Sequence, residues 1–329
     1  MSDTQRTVLV VGCGSIGRRH IRLLNERSDT TVWACDRDPE IMADAMAKAP
    51  AARTFAKLDD ALTEHPDFVW VCTPDPAHAP VAVAAMRAGA HVFCEKPLSD
   101  TVDGAIEISE AAKSTGRLVG VGYILRCEDG FQCIRQMIDD GKLGTLLSAS
   151  ARIGAYDTLL FSKTDFMIAR KDSLVLDYSH EIDYLMWYFG PVAEVTATAA
   201  CIGDLAKKAA PNVVDATMRF ANGAVVGLHM DYIQLPGRRS VELYGDGGRL
   251  SYTPGTGVIH YEEHGADAIT DIPVTGERDD WFRREHQLFF EAVDAGQQPL
   301  ASAADGLATL RVAIAIITAY RERRVVIVA

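Results

Sequence analysis

The pattern of hydrophobic positions changes near Gly122. Before that residue, short runs rich in β-branched residues alternate with segments typical of helices. The runs are apolar at consecutive positions, which is typical of parallel strands buried on both faces. We therefore predict a doubly wound α/β domain, a Rossmann fold, over residues 1–122. The predicted strands are 7–12, 30–36, 67–73, 91–97 and 118–122, and the predicted helices are 15–27, 39–48, 80–87 and 102–114.

Beyond Gly122, longer segments alternate apolar and polar residues, and glycine pairs such as Gly247-Gly248 mark turns between them. Hairpins of this kind give a largely antiparallel sheet. We predict an α+β domain over residues 123–329. Its predicted strands are 146–156, 195–203, 215–220, 224–234, 238–245 and 257–264, and its predicted helices are 131–140, 177–189 and 303 to about 323.

Composition narrows the class of protein. The 329 residues are 48% hydrophobic and 24% charged, which is typical of a globular chain of about two domains. The 45 acidic residues outnumber the 33 Lys and Arg residues, and the net charge of -12 repels phosphate backbones and anionic membrane surfaces. No stretch approaches the ~20 apolar residues of a membrane span. We expect neither a nucleic acid nor a membrane as partner.

The cysteines and the N-terminus indicate a reducing compartment. The chain has 7 cysteines and no CxxC pair, which argues against a disulfide framework and against a zinc site. The segment 1–6 is polar and leads directly into a strand, without an apolar signal segment. His260 and His264 lie in a predicted hairpin, where a surface role is favoured over metal binding. We expect a cytoplasmic protein without a metal site.

A glycine-rich loop, GCGSIG at residues 12–17, joins the first predicted strand to the first predicted helix. Gly12 allows a tight turn, Gly14 lets a pyrophosphate approach the backbone, and Gly17 lets helix and strand pack closely. The helix N-terminus supplies N–H groups for the phosphates. The alternative is a glycine turn without a ligand. The predicted cofactor contacts of the loop are Gly12, Gly14, Ser15, Ile16 and Gly17.

The end of the second predicted strand indicates which dinucleotide binds. Asp36 stands there, where a carboxylate accepts hydrogen bonds from the adenosine ribose and repels a 2′-phosphate. Arg37 is the next residue and is able to pair with such a phosphate. We predict NAD as the cofactor, with NADP as the alternative.

Several further motifs resemble one family. They are Glu95-Lys96-Pro97, Thr73-Pro74 followed by His78, the GYILR segment at 122–126, and the segment 177–183. With the glycine loop, these motifs make the chain similar to the Gfo/Idh/MocA oxidoreductases, which act on sugars, cyclitols and their derivatives. Segments 177–185 and 231–239 are most similar to a branch linked to surface-polysaccharide and nucleotide-sugar pathways. The resemblance implies that Lys96, His180 and Asp177 are catalytic and that Thr73, Pro74, His78, Glu95 and Lys96 lie along the cofactor. It also implies that residues 123–329 form the domain for substrate binding and oligomerisation.

This chain departs from the family pattern before the catalytic histidine. Asp177 stands three residues before His180, whereas many members have a spacing of four. Lys171-Asp172-Ser173 also replaces the usual glycine cluster. The resemblance therefore assigns a role more firmly to His180 than to Asp177.

The proposed chemistry requires a base for the hydroxyl proton. Lys96 follows an apolar strand, at the end where such folds bind ligands, and the alternative is a surface lysine. On the predicted helix, His180 lies opposite an apolar stripe that includes Ile182 and Leu185. It shares its face with Asp183, so the alternative to catalysis is a structural histidine paired with that carboxylate.

The remaining candidates concern the substrate. Tyr123 and Arg126 follow the last strand of the first domain, with interdomain packing as the alternative. Basic side chains could bind a phosphate or a carboxylate, although dispersed ones are more often solvated surface. The predicted substrate residues are Tyr123, Arg126, Arg152, Asp183 and Arg238, and Lys163 and Arg170 are further basic candidates.

We interpret the chain as an NAD(P)-dependent dehydrogenase that acts on a secondary alcohol of a sugar, a cyclitol or a nucleotide sugar. One alternative is a glycoside hydrolase that uses bound NAD for a transient oxidation. Another is a catalytically silent sensor that binds a dinucleotide and a protein partner, although a sensor needs neither Lys96 nor His180. Because apolar residues occur on both faces of strands 224–234 and 238–245, we expect a homo-oligomer, a dimer or a tetramer.

Overall fold

A computed structural model describes residues 5–162 and 166–328, so Lys163 lies outside the described residues. The first half contains a parallel sheet in the order β3-β2-β1-β4-β5-β6, as predicted for a Rossmann fold. Its strands are β1 (Arg6–Val11), β2 (Thr30–Cys35), β3 (Arg53–Phe55), β4 (Phe68–Val71), β5 (His91–Cys94) and β6 (Val119–Val121). Its helices are α1 (Ser15–Leu24), α2 (Pro39–Lys48), α3 (Leu58–Leu62), α4 (His78–Arg87) and α5 (Val102–Thr115), and Asp75–Ala77 and Ile124–Cys127 are single 3₁₀ turns.

The second half builds a sheet of nine strands in the order β14-β13-β12-β11-β7-β10-β9-β8-β15, which is antiparallel except for the pair β7 and β10. Its strands are β7 (Leu146–Gly154), β8 (Val192–Ala200), β9 (Val213–Phe220), β10 (Val225–Asp231), β11 (Arg238–Gly245), β12 (Gly248–Tyr252), β13 (Val258–Glu263), β14 (Thr270–Pro273) and β15 (Val326–Ile327). The helices are α6 (Asp129–Asp139), α7 (Asp157–Leu160), α8 (Phe166–Ala169), α9 (Ser173–Asp177), α10 (Ser179–Phe189), α11 (Arg278–Asp294) and α12 (Ala303–Glu322).

The chain forms two compact units, and their boundaries differ from those expected from the sequence. Unit 1 contains residues 1–127 together with Glu277–Leu310, whereas unit 2 contains Glu128–Gly276 and Arg311–Ala329. The pattern near Gly122 marks the first boundary to within a few residues. The return of 277–310 to unit 1 was not predicted, and neither was α11.

Aromatic packing explains why α11 belongs to unit 1. Trp70 of β4 stacks on Phe93 of β5, with ring centroids 5.2 Å apart. Phe289 and Phe290 of α11 pack against Trp70, with centroid distances of 5.5 and 5.4 Å. All four side chains are at most 3% exposed. The sheet face that carries these rings therefore needs α11 to exclude water, although the helix lies almost 200 residues further along the chain.

The last helix is apolar for much of its length. By length and composition, Ala303–Glu322 is able to cross a membrane, which differs from the expectation that no such stretch exists. In the structure, 56% of its apolar window is buried within the protein. The apolar residues of α12 therefore cover core surface, as in the core helix of a globular protein.

The packing of α11 generates a test. Replacing Phe290 by Ala should lower the free energy of unfolding by about 3–5 kcal/mol, because a large buried ring leaves a cavity. Chemical denaturation followed by circular dichroism measures the change. Phe161→Ala is the matched control, because Phe161 is 80% exposed, and an equal loss in both variants would contradict the packing described here.

Candidate active site

The glycine loop has the close contacts that its sequence predicts. Gly12 has a φ of 91°, and a Cβ atom there would lie 2.7 Å from the Cys72 backbone. A Cβ on Gly17 would lie 1.9 Å from the Gly12 carbonyl oxygen. In contrast, no atom lies within 4 Å of the Cβ position of Gly14, directly before α1. This opening at a helix N-terminus leaves space where a phosphate can approach the backbone.

Asp36 lies against the same loop. Its Oδ2 accepts a hydrogen bond from the Cys13 backbone N–H at 2.7 Å, and its Oδ1 accepts one from the Asp38 N–H at 2.9 Å. These bonds fix the carboxylate at the end of β2, beside the glycine turn. Arg37 is exposed. Burial raises the pKa of the Cys13 thiol to about 12, so this side chain is an uncharged packing group.

Two turns of unit 1 are joined by a buried histidine. His78 is 1% exposed, and its Nδ1 lies 2.8 Å from the Pro97 carbonyl oxygen. Its Nε2 lies 2.8 Å from the Thr73 carbonyl oxygen. The Thr73 hydroxyl is buried and has no hydrogen-bond partner among the described residues. An orphaned hydroxyl beside Pro74 and the glycine loop fits a polar ligand such as a dinucleotide.

Glu95 and Lys96 follow β5 and are half-buried. Glu95 Oε1 lies 2.9 Å from His20 Nε2, and Glu95 Oε2 accepts a hydrogen bond from the Lys96 N–H at 3.3 Å. A Cβ on Gly122 would lie 3.0 Å from Glu95 Oε2, so the carboxylate is in close contact with the backbone there. Strands β1, β4 and β5 are parallel neighbours, and their carboxyl ends place the glycine loop, Thr73 and Lys96 along one edge of the sheet.

Two buried ionisable residues near Glu95 were not predicted from the sequence. His286 and Glu285 lie on α11 and are 1% and 7% exposed. Burial lowers the pKa of His286 well below its usual value, and the neighbouring His20 and Arg27 lower it further. Burial, together with the charge of Glu95, raises the pKa of Glu285 well above its usual range. A prediction of α11 with its apolar stripe would have found them, since ionisable side chains inside such a stripe are unusual.

In unit 2, the predicted catalytic pair lies at adjoining short helices. Asp177 ends α9 and His180 lies in the first turn of α10, and both are half-buried. The Tyr232 hydroxyl donates a hydrogen bond to Asp177 Oδ2 at 3.0 Å. Burial, with the charge of Asp177, raises the pKa of Tyr232 well above its usual value, so the phenol keeps its proton. Asp177 therefore has a fixed donor despite the shortened spacing to His180.

The face of α10 that carries His180 is more enclosed than the sequence pattern indicates. Asp183 and Tyr184 have no exposed surface, like Ile182 and Leu185 on the predicted apolar stripe. The fold surrounds most of this helix, so a polar position does not lie in solvent. This placement differs from the expectation that Asp183 contacts the substrate.

The other predicted substrate residues lie in different environments. Arg126 is 4% exposed and donates hydrogen bonds to the Leu300 carbonyl oxygen at 2.6 Å and to Asp305 Oδ1 at 3.3 Å. These bonds lie within unit 1 and give the guanidinium a structural role. Tyr123 is 1% exposed, whereas Arg152 and Arg238 are exposed on the second sheet. The structure therefore does not bring these residues together at one site of a single unit.

No group of three or more His, Cys, Asp or Glu side chains within 5–162 and 166–328 has the arrangement of a metal site. His260 is half-exposed, and its Nδ1 lies 2.6 Å from Asp271 Oδ1 on the neighbouring strand. This pair is a contact across a hairpin.

Comparison with known proteins identifies the class. The model of the Gfo/Idh/MocA oxidoreductase family, NAD-binding Rossmann fold, matches residues 6–123. The model of the Gfo/Idh/MocA C-terminal domain matches residues 131–251. The matches cover more than half of the chain, so the chain belongs to this family, and the resemblance found in the sequence is confirmed. It is an NAD(P)-dependent oxidoreductase, and the predicted fold class and cofactor are confirmed.

Individual relatives extend this comparison. Inositol 2-dehydrogenase 2 of Saccharopolyspora erythraea is 30% identical over 318 residues, covering 92% of this chain and 90% of that protein. The Burkholderia multivorans inositol 2-dehydrogenase is 35% identical over 186 residues, 55% of this chain and 53% of that protein.

Two solved structures share the fold. Levoglucosan dehydrogenase with NADH has a TM-score of 0.87 at 19% identity, covering 99% of this chain and 100% of that chain. WlbA dehydrogenase of Bordetella pertussis with NADH and UDP-GlcNAcA has a TM-score of 0.83 at 20% identity, covering 100% of this chain and 99% of that chain.

The bonds of Asp36 generate a prediction about cofactor choice. Asp36→Asn keeps one oxygen, which can accept a hydrogen bond from one of the two backbone N–H groups, and removes the charge. We expect the affinity for NADP relative to NAD to rise about ten-fold, because repulsion of the 2′-phosphate is lost. Titrations with NADH and NADPH measure the ratio, with the exposed Asp59→Asn as control. An unchanged ratio would mean that Asp36 does not face the adenosine ribose.

Proposed function

We propose that this protein is a dehydrogenase that transfers hydride between NAD and a secondary alcohol of a sugar or cyclitol, including nucleotide sugars. The observation that carries the proposal is the order of these residues along one edge of the parallel sheet. The glycine loop follows β1, Thr73 follows the neighbouring strand β4, and Lys96 follows β5, the next strand in the sheet. Adjacent strands lie about 4.8 Å apart, so Lys96 is about 10 Å from the loop, along the cofactor's length. The full-length similarity to an inositol 2-dehydrogenase supports the substrate class.

We assign the residues roles that follow from their chemistry. When bound, NAD supplies a ring that accepts hydride. The loop of Gly12, Gly14, Ser15, Ile16 and Gly17 binds the phosphates, and Asp36 binds the ribose. The Lys96 amine takes the hydroxyl proton as general base. The family pattern assigns His180 and Asp177 to the same reaction.

A substrate screen tests the activity. NAD and NADP are each offered with inositols, free sugars, anhydrosugars, sugar phosphates and nucleotide sugars, and absorbance of the reduced cofactor is followed. We expect net reduction of NAD with at least one cyclitol or sugar. Conversion of a glycoside without net reduced cofactor would instead support the hydrolase alternative. Binding of NADH with no conversion of any class would support a sensor.

We further propose that the protein is a cytoplasmic homo-oligomer that associates through the open face of the nine-stranded sheet. Helices α9 and α10 contact strands β7, β9 and β10, and buried and exposed side chains alternate along β9, so one face of the sheet is covered and the other is open. On the other face, Val225 and Tyr244 are paired with Ser148 on adjacent strands, and these two large side chains are 46% and 36% exposed. Gly227 lies two residues along, with open space above it. The exposed side chains of β9 are Asp215, Thr217 and Arg219, so the open face is more polar than the sequence suggested.

Association through the open face of the nine-stranded sheet predicts that a mutation there lowers the molecular mass of the assembly in solution. Wild-type protein should scatter light as a dimer or tetramer at micromolar concentration, and Gly227→Arg should shift it towards the monomer because a large charged side chain would stand in the contact. Phe161→Arg, on an exposed side chain outside this face, is the control. A wild-type monomer across a range of salt concentrations would contradict the proposal.

The role of Lys96 is tested by separating chemistry from binding. Lys96→Met keeps most of the apolar stem but removes the amine, so we expect turnover to fall about 100-fold or more with little change in NADH affinity. His180→Asn should lower turnover less. Lys113→Met, on the exposed end of α5, is the matched control. Near-normal turnover of Lys96→Met on an identified substrate would contradict the assigned base.

A further inference from the structure

The buried imidazole rings of His286 and His20 form a hydrogen-bonded chain that ends at the Glu95 carboxylate. His20 Nε2 lies 2.9 Å from Glu95 Oε1, and His20 Nδ1 lies 2.7 Å from His286 Nε2. Both histidines are at most 1% exposed. The three residues come from α1, from the turn after β5 and from α11, so only the folded unit 1 brings them together.

The position of the proton on each imidazole ring follows from which ring nitrogens have a hydrogen-bond partner. Burial lowers the pKa of His286 well below its usual value, so this ring is neutral and carries one proton. Its Nδ1 has no hydrogen-bond partner among the described residues. A proton on Nδ1 would therefore be an orphaned buried donor, which is costly, whereas a proton on Nε2 is donated to His20 Nδ1. His20 then carries its own proton on Nε2 and donates it to Glu95.

The surroundings strengthen this chain. The His20 ring makes edge contacts with Phe93 and Phe282, with centroids 5.7 and 5.4 Å away. In such an apolar setting, linked hydrogen bonds polarise one another, and both donors point towards the Glu95 carboxylate. Burial, together with the charge of Glu95, raises the pKa of Glu285. Glu285 therefore keeps its proton and adds no negative charge of its own. The cluster therefore directs one N–H donor at the Glu95 carboxylate.

We propose that His20 and His286 are positioning residues that hold the Glu95 carboxylate in one orientation for the cofactor. His20 donates a hydrogen bond to Oε1, and Oε2 lies close to the Gly122 backbone, which limits its movement. The carboxylate then reaches the cofactor without first losing rotational freedom. This inference rests on the proposed function only in taking Glu95 to contact the dinucleotide.

Binding of NADH to variants of His20 tests the role. His20→Leu should weaken NADH affinity about ten-fold, since a hydrogen bond to a charged group is lost. The KM for NAD should rise in parallel, with a smaller change in kcat. His20→Gln should stay within about three-fold of wild type, because an amide N–H can still donate to Glu95. Fluorescence titration of NADH measures the affinities, and Phe290→Leu, in the same aromatic packing of α11, controls for destabilisation alone.

A double-mutant cycle identifies the path of the effect. If His20 acts through Glu95, the variant His20→Leu with Glu95→Gln should bind NADH no more weakly than Glu95→Gln. Additive losses would overturn the proposal, as would equal NADH affinity of wild type and His20→Leu. In both cases wild type still binds NADH, so the proposed function stands. Failure of wild type to bind either NADH or NADPH would overturn both.

Nuclear magnetic resonance of the wild-type protein gives a test that needs no variant. Long-range ¹H–¹⁵N spectra distinguish the two tautomers of each histidine ring. We expect both His20 and His286 to carry the proton on Nε2 at neutral pH. A proton on Nδ1 of His20 would overturn the proposed direction of the chain, because Glu95 would then receive no donor from it.

Discussion

The turn that carries Glu95 and Lys96 is held by two buried histidines, and the arrangement of the site depends on this constraint. His20 bonds to the Glu95 carboxylate, and the two ring nitrogens of His78 each lie 2.8 Å from a carbonyl oxygen, one of Pro97 and one of Thr73. If these buried polar groups lost their partners, the free energy of unfolding of the protein would fall. The turn therefore has little freedom to adopt another conformation. The position of Lys96 is thereby linked to α1, α4 and the Thr73 turn at once.

Unit 2 uses buried charges in a comparable way. Glu181 of α10 is fully buried and accepts a hydrogen bond from Arg239 of β11 at 2.5 Å. Asp172, 3% exposed, is bonded by Tyr320 and Arg321 of α12. Removing the arginine from such a pair leaves a buried carboxylate without its cation, which costs up to about 3–5 kcal/mol. These pairs fix the helices that carry Asp177 and His180 relative to the sheet and to the end of the chain.

Predictions from sequence succeeded where a local rule applies and failed where distant residues meet. The helix Pro39–Lys48 has the predicted bounds, because proline begins it and an aspartate caps it. In contrast, α11 was missed although it is 17 residues long, since its charged residues hide the stripe that packs on Trp70. Arg126 and Asp183 are polar residues at predicted substrate positions, but both are buried within their units.

The sequence alone determined the Rossmann domain, the glycine loop, the family and the NAD cofactor, because each depends on residues that are close along the chain and on backbone rules that glycine and proline impose. It also indicated Lys96 through its position after a strand. Tertiary structure alone decided that α11 completes unit 1, that His20 and His286 stand behind Glu95, and which polar residues are buried. These features depend on side chains separated by up to 266 residues, and no local pattern records which of them will be excluded from water together.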